Sequence, residues 1–172
     1  ITCLKYCQYL KEKYNKNYIS VQPANLYGVG DNFDLKASHV LPALVKKFIL
    51  AKEKSLESVE IWGSGNQKRE FLNVVDLADA ILFLLNKKIK HNYLNIGSGD
   101  QISIKQLAMT IKKITGYNGR IFFNKDYPDG VKKRLVDSKL INKLGWKAKI
   151  KLKTGLNEYC SYYINKVMPE EK

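Results

Sequence analysis

Arg69 leaves a glycine turn, Gly63-Ser64-Gly65-Asn66, that is entered through Trp62. A guanidinium offers a planar fork of donors matched to phosphate or carboxylate, and the indole beside it offers a flat apolar face. The pair suits an anionic ligand that carries a ring; a surface hairpin with a solvated arginine fits these residues equally well. Trp62 can present its face to such a ring, or fill the core. Lys47 can hold an anion as a point charge. Asp129, in Tyr127-Pro128-Asp129-Gly130, can accept from ligand hydroxyls or simply form the turn. Of the two histidines, His39 stands at a helix start, where an imidazole can pass protons near neutral pH or serve as a cap or core residue. His91, in the polar Lys90-His91-Asn92, reads as solvated. Lys132, Lys133 and Arg134 add positive potential or solvate a loop.

The elements that must position these groups follow from local pattern. Val59-Glu60-Ile61-Trp62 alternates like a half-buried strand, the glycines reach positive φ without steric cost, and Arg69-Glu70-Phe71-Leu72 reads as a second strand, so a hairpin is expected. Asn73 is placed to cap a helix, with Asp76 complementing its positive end. That helix, over residues 74–86, is apolar on most sides and is expected in the core. Upstream, apolar positions 1, 3, 4, 6, 7, 10 and 14 follow helical spacing. A strand over 18–22 is closed by Pro23, a loop over 26–37 follows, and a helix over 38–52 tolerates Pro42 only near its first turn. Downstream come a strand over 93–96, a Ser103/Gln106 capping box opening a helix that ends near Gly116, and a strand over 119–123. Asp137 is expected to cap a short helix stopped at Gly145, and residues 152–165 form the last helix. The charged tail from Met168 is expected to fray. Helices and strands alternate throughout, so the class is α/β.

A chain of 172 residues with 45% hydrophobic content can bury its own core. No apolar run is long enough to span a bilayer and no signal-peptide pattern opens the sequence. Ile1 lies in mid-helix without a start methionine, which points to a piece of a longer chain. Thirty Lys and Arg against sixteen Asp and Glu leave a formal charge of +14, which draws anions of any kind. The lysines are spread through every element with no recognition helix or zinc spacing, so nucleic acid is not the expected partner. Three cysteines make a disulfide framework unexpected and fit a reducing cytoplasm. Cys3 and Cys7, without a nearby histidine, read as packing residues rather than metal ligands, as does Cys160; no metal site is expected.

In order and spacing, Pro23-Ala24-Asn25-Leu26-Tyr27-Gly28, Asp31-Asn32-Phe33, the segment Ser38-His39-Val40-Leu41-Pro42-Ala43-Leu44, Trp62-Gly63-Ser64-Gly65, Arg69-Glu70-Phe71-Leu72, Asn95-Ile96-Gly97-Ser98-Gly99 and Tyr127-Pro128-Asp129-Gly130 resemble the C-terminal half of the GDP-L-fucose synthases. These are extended short-chain dehydrogenase/reductases of the NAD-dependent epimerase/dehydratase family. The resemblance runs from about residue 1 to about residue 163. It implies a fragment in which about 1–30 and 74–97 contribute to a Rossmann sheet and its helices, about 31–73 and 98–165 form the substrate-binding domain, and 166–172 is a tail.

The resemblance also implies roles. Pro23, Ala24, Asn25, Leu26 and His39 would contact NADP(H), and Asn25 on its own could merely bond backbone. His39 would be the acid in 3,5-epimerisation, with its cysteine partner outside this sequence. Lys47, Trp62, Arg69 and Asp129 would bind a GDP-sugar, although Lys47 stands where the family often has arginine. Hydride transfer in that family needs a Gly-rich first turn and a Ser with a Tyr-x-x-x-Lys pair; neither is expected in these residues, since alignment puts the catalytic lysine immediately before Ile1. The implied reaction of a complete chain converts GDP-4-keto-6-deoxy-D-mannose to GDP-L-fucose, and the 172 residues alone would be inactive. The first helix would pack in a homodimer interface. The alternatives are an enzyme for another GDP-sugar, such as a deoxy-heptose, or a non-catalytic nucleotide-sugar binding module.

Overall fold

The computed structural model describes residues Ile1–Glu171. Its elements, in chain order, are α1 (Thr2–Tyr14), β1 (Ser20–Pro23), β2 (Asn25–Tyr27), α2 (Val40–Glu53), β3 (Ser58–Trp62), β4 (Lys68–Asn73), α3 (Val74–Leu85), β5 (Tyr93–Ile96), β6 (Gln101–Ser103), α4 (Ile104–Thr115), β7 (Arg120–Asn124), β8 (Lys133–Arg134), α5 (Lys139–Lys143) and α6 (Leu152–Tyr162), which continues into a π-turn over Tyr163–Val167.

β4 is the strand on which the others depend. Its second half pairs in parallel with β2, Leu26 opposite Leu72. Its first half pairs antiparallel with β6 and in parallel with β8, so Arg69 lies opposite both Ile102 and Arg134. Successive side chains on a strand face opposite ways. Phe71 therefore enters one core and Leu72 the other. The first core gathers α2, β3, α4 and α6, with Phe33 stacked on Tyr159 at 5.1 Å and against Tyr163 at 4.7 Å. The second gathers α3, β5, α5 and Trp146. Two more parallel pairs complete the sheets, β1 with β5 and β3 with β7.

The local signals operate as expected at several ends. The Asn73 side chain accepts from the Val75 N–H at the start of α3. Ser103 and Gln106 form a reciprocal capping box on α4, and Gly116 closes it at φ 67°. Asp76, in the first turn of α3, is buried and accepts from the N–H groups of Lys149 and Ile150. Pro42 falls in the first turn of α2, where its missing N–H has no helical partner to lose.

Other expectations are corrected. The stretch from Val59 to Leu72 is not a hairpin: β3 pairs with β7 and β4 with β2, β6 and β8, so the glycine turn carries the chain from one sheet to another. The reason lies far along the chain, because Asp129 accepts from the N–H and hydroxyl of Ser64 at 2.7 and 2.6 Å and pins that turn outward. Gly63, at φ 82°, leaves room for it: a Cβ there would lie 2.5 Å from the Asp129 carboxylate. α3 is not a core helix. Only Asp76, Ala80 and Leu84 are buried, while Val75, Leu82 and Leu85 are exposed, because the second core covers a single face of it. The cap of α5 is Ser138 by backbone conformation, although Asp137 does accept from the Lys139 N–H. The tail is tethered over its described part: Glu171 pairs with Lys46 at 2.7 Å and accepts from the Tyr163 hydroxyl at 3.0 Å. Cys3 is exposed on α1 rather than packed, since α1 buries no residue, whereas Cys160 is buried and its thiol is pushed up to about 12 by desolvation.

Candidate functional site

A cleft of about 640 Å³ opens where β1 and β2 end, the place at which open α/β sheets bind ligands. Pro23, Ala24, Asn25 and Leu26 form one wall, and His39 and Arg69 stand on others. Six residues singled out in sequence for two different tasks thus share one cavity. β4 explains how: it pairs with β2 directly and carries Arg69 at its other end.

Asn25 donates from Nδ2 to the Glu70 carbonyl at 2.8 Å, so its amide nitrogen serves the sheet. His39 is the N-cap residue of α2, but its side chain makes no capping bond and it is exposed. Its imidazole is therefore not spent on the helix end. Arg69 donates through Nη1 to the carbonyls of Lys68 and Val131 at 2.8 and 2.7 Å, which holds the guanidinium under the loop over residues 127–131. The cleft's lining contains a carboxylate, Asp31, and it accepts from the Tyr159 hydroxyl at 2.7 Å. Burial and that bond raise the Tyr159 pKa, so the phenol stays protonated and keeps Asp31 engaged.

Lys47, Trp62 and Asp129 do not line this cleft. They form a second group alongside. Trp62 is 57% exposed, which removes it from the core, and it lies flat on Tyr127 at 4.4 Å and 11°. The Lys47 ammonium sits 5.6 Å from the indole centroid and donates to the Glu60 carbonyl at 3.0 Å. Asp129 is occupied by Ser64, whose hydroxyl and N–H hold the carboxyl below its ordinary range. Arg69 joins the two groups, since the Val131 carbonyl it holds lies two residues past Asp129.

Two contributors were not among the residues singled out. Tyr127 pairs with Trp62 because the β3–β7 register sets Trp62 opposite Asn124, three residues short of Tyr127; nothing within either segment signals that pairing. Glu70 is only 1% exposed and accepts from the N–H groups of Gly99 and Val136 at 2.8 and 3.1 Å. It reads in sequence as a polar strand residue, yet it ties the ends of β5 and β8 to the strand that bears Arg69. The Tyr-x-x-x-Lys spacing expected to be missing does occur, at Tyr9 and Lys13 and at Tyr162 and Lys166. Neither pair lines the cleft, and Lys13 lies over the Tyr9 ring at 5.4 Å on exposed α1. No helix among the described residues is long and apolar enough to cross a membrane.

A mixed α/β framework with a cleft at its strand ends fits the extended short-chain dehydrogenase/reductases, and the chain belongs to the NAD dependent epimerase/dehydratase family, whose sequence profile matches residues 1–97. It is 41% identical to "Probable GDP-L-fucose synthase 1" of Oryza sativa subsp. japonica over 172 residues, which is 100% of this chain and 52% of that protein. Among solved structures it is similar to a GDP-6-OMe-4-keto-L-xylo-heptose reductase from C. jejuni, with 35% identity, a TM-score of 0.84, and coverage of 95% of this chain and 58% of the other. It is also similar to a GDP-L-fucose synthetase from Naegleria fowleri bound to NADP, with 26% identity, a TM-score of 0.87, and coverage of 96% and 54%. The chain spans about half the length of the curated relatives it matches.

Proposed function

We propose that these residues form the GDP-sugar-binding part of an NADP-dependent 3,5-epimerase/4-reductase that makes GDP-L-fucose from GDP-4-keto-6-deoxy-D-mannose. The observation that carries this reading is the convergence of Pro23–Leu26, His39 and Arg69 on one cleft at the strand ends. The residues suit the cofactor: a wall of main chain and small apolar side chains accepts a flat ring, and the exposed imidazole of His39 stands beside it. NADPH would supply the hydride received at C4 of the sugar. Protons at C3 and C5 are acidic beside a 4-ketone, and inversion there requires one group to remove a proton and another to return it from the opposite face. His39, uncommitted at the head of α2, is the group in this chain suited to return it. Arg69 would grip the diphosphate, with Lys47 as a second charge, and Trp62 with Tyr127 would form a platform for the base or sugar. Asp129 would act less by contacting hydroxyls than by holding the turn that carries Trp62. The 172 residues by themselves are proposed to bind rather than turn over substrate. A second reading, reduction of a GDP-heptose, is favoured by the 35% identity to the C. jejuni heptose reductase.

The test is His39→Gln in an enzyme containing this chain. Solvent deuterium should no longer enter C3 and C5 at the native rate, while reduction of an already epimerised 4-keto sugar continues. Native exchange and native product formation would leave His39 a plain helix-start residue. Turnover of a 4-keto heptose in preference to the 6-deoxy sugar would select the second reading.

A further inference from the structure

Away from the cleft, a groove of about 760 Å³ separates α4 from β7. Lys105, Lys112 and Lys113 line it from the helix, and Arg120, Ile121 and Phe123 from the strand. No carboxylate is among its lining residues. Lys112 donates to the Gly119 carbonyl, which fixes one positive charge at the end of the groove. Lys105, Lys113 and Arg120 are exposed, and Met109, 56% exposed, adds an adaptable apolar surface between them.

The strand side has a second property. β7 pairs with β3 on one edge, and among the described residues nothing pairs with the other. Alternate residues of a strand turn their main-chain groups to opposite edges. The Arg120 N–H bonds to Glu57 and the Asn124 carbonyl accepts from Gly63, both on the β3 side. The main-chain groups of Ile121 and Phe123 therefore face the open edge. At about 3.3 Å per residue, the five residues of β7 match an extended peptide of similar length.

We propose that this groove docks an extended acidic segment of a protein partner, added as a strand along the open edge of β7. Main-chain hydrogen bonds to Ile121 and Phe123 would hold it, and its alternate carboxylates would meet Lys105 and Lys113 on the α4 side; Arg120 projects from the other face of β7, 3.8 Å from Glu57. Positive side chains on a free edge also serve to repel unwanted strand addition, and the experiment separates the two.

The full chain is titrated with acetyl-Glu-Val-Glu-Val-Glu-Val-Glu-amide, while amide exchange is followed at Ile121 and Phe123. Saturable binding with slowed exchange at both residues is expected. Lys105→Glu with Lys113→Glu should weaken it about tenfold, the effect of reversing two exposed charge contacts, at an unchanged melting temperature. The same peptide N-methylated at alternate residues should lose the exchange protection. Equal binding by the N-methylated peptide, or complete displacement by inorganic tripolyphosphate, would reduce the groove to a charged patch and overturn the proposal. So would unchanged affinity in the double variant, and absence of saturable binding would leave the lysines as edge guards.

Discussion

The cleft and the aromatic group beside it are built in opposite ways. The cleft takes its shape from main chain: the ends of β1 and β2, the head of α2, and one arginine anchored on backbone carbonyls. The group around Trp62 is made of exposed side chains that hold one another, a stacked tyrosine, a lysine over the ring, and an aspartate spent on the turn. Main-chain walls are secured by the sheet and change little unless the sheet does. Mutually propped side chains can be loosened singly. A ligand reaching from one to the other would thus meet a rigid seat at one end and an adjustable platform at the other.

Breaking the seat should have the largest consequence. Glu70→Ala leaves the buried N–H groups of Gly99 and Val136 without their acceptor, at about 1–3 kcal/mol each. Gly97 has no room for a Cβ against that carboxylate, so the packing there depends on it. A denaturant titration should show a loss of roughly 2–6 kcal/mol; a loss below about 1 kcal/mol would mean that water replaces the carboxylate and the seat is not rigid.

Arg69 joins the two regions, and its removal should be felt in binding. Arg69→Ala is expected to weaken GDP binding by roughly 2–4 kcal/mol, the range for truncating one partner of a desolvated charge pair. Arg69→Lys should recover only part of that, since an ammonium cannot hold two carbonyls and a phosphate as a fork does. Isothermal titration paired with a thermal melt reads both sides. A large fall in melting temperature at native affinity would make Arg69 a brace for the Val131 loop alone.

Lys47→Ala touches only the platform and should cost about 0.2–1 kcal/mol in GDP binding, as expected for an exposed charge. A loss equal to that of Arg69→Ala would erase the distinction between seat and platform. The smallest effect is a pH response. The Asp129 carboxyl is held below its ordinary range by Ser64. Its contribution is therefore present above the unfolded-state pKa and lost as pH falls through the lowered folded value. Trp146 donates to Asp79, which is also held low, so in a Trp146→Phe background acidification should release the turn and shift Trp62 fluorescence, but not once Asp129→Asn is added. An identical acid transition in both would remove Asp129 as its source.

Much of the framework was legible because its causes are local. A serine followed three residues later by glutamine bonds its own helix end, and Gly116 enters the left-handed region wherever the helix points. The apolar stripe of α2 needed no partner to be recognised, and six of its residues are buried besides Pro42. α3 was misread because its sequence is apolar on more faces than the second core covers, and hydropathy does not say which face finds a partner. The Trp62–Tyr127 stack was invisible for a related reason: neither ring shares a segment with the other, and a parallel register brings them together.

By itself, then, the sequence determined the elements, their caps, the α/β class, and the residue types that make the family recognisable. These rest on hydrogen bonds and periodicity within a few residues of chain. Only the tertiary structure decided that β3 and β4 enter different sheets, that Glu70 is a buried anchor, and that His39 and Arg69 face one cleft while Trp62, Lys47 and Asp129 face beside it. Strand pairing is non-local: β4 has hydrogen-bonding capacity for several neighbours, and the packing of the two cores on Phe71 and Leu72 selects among them.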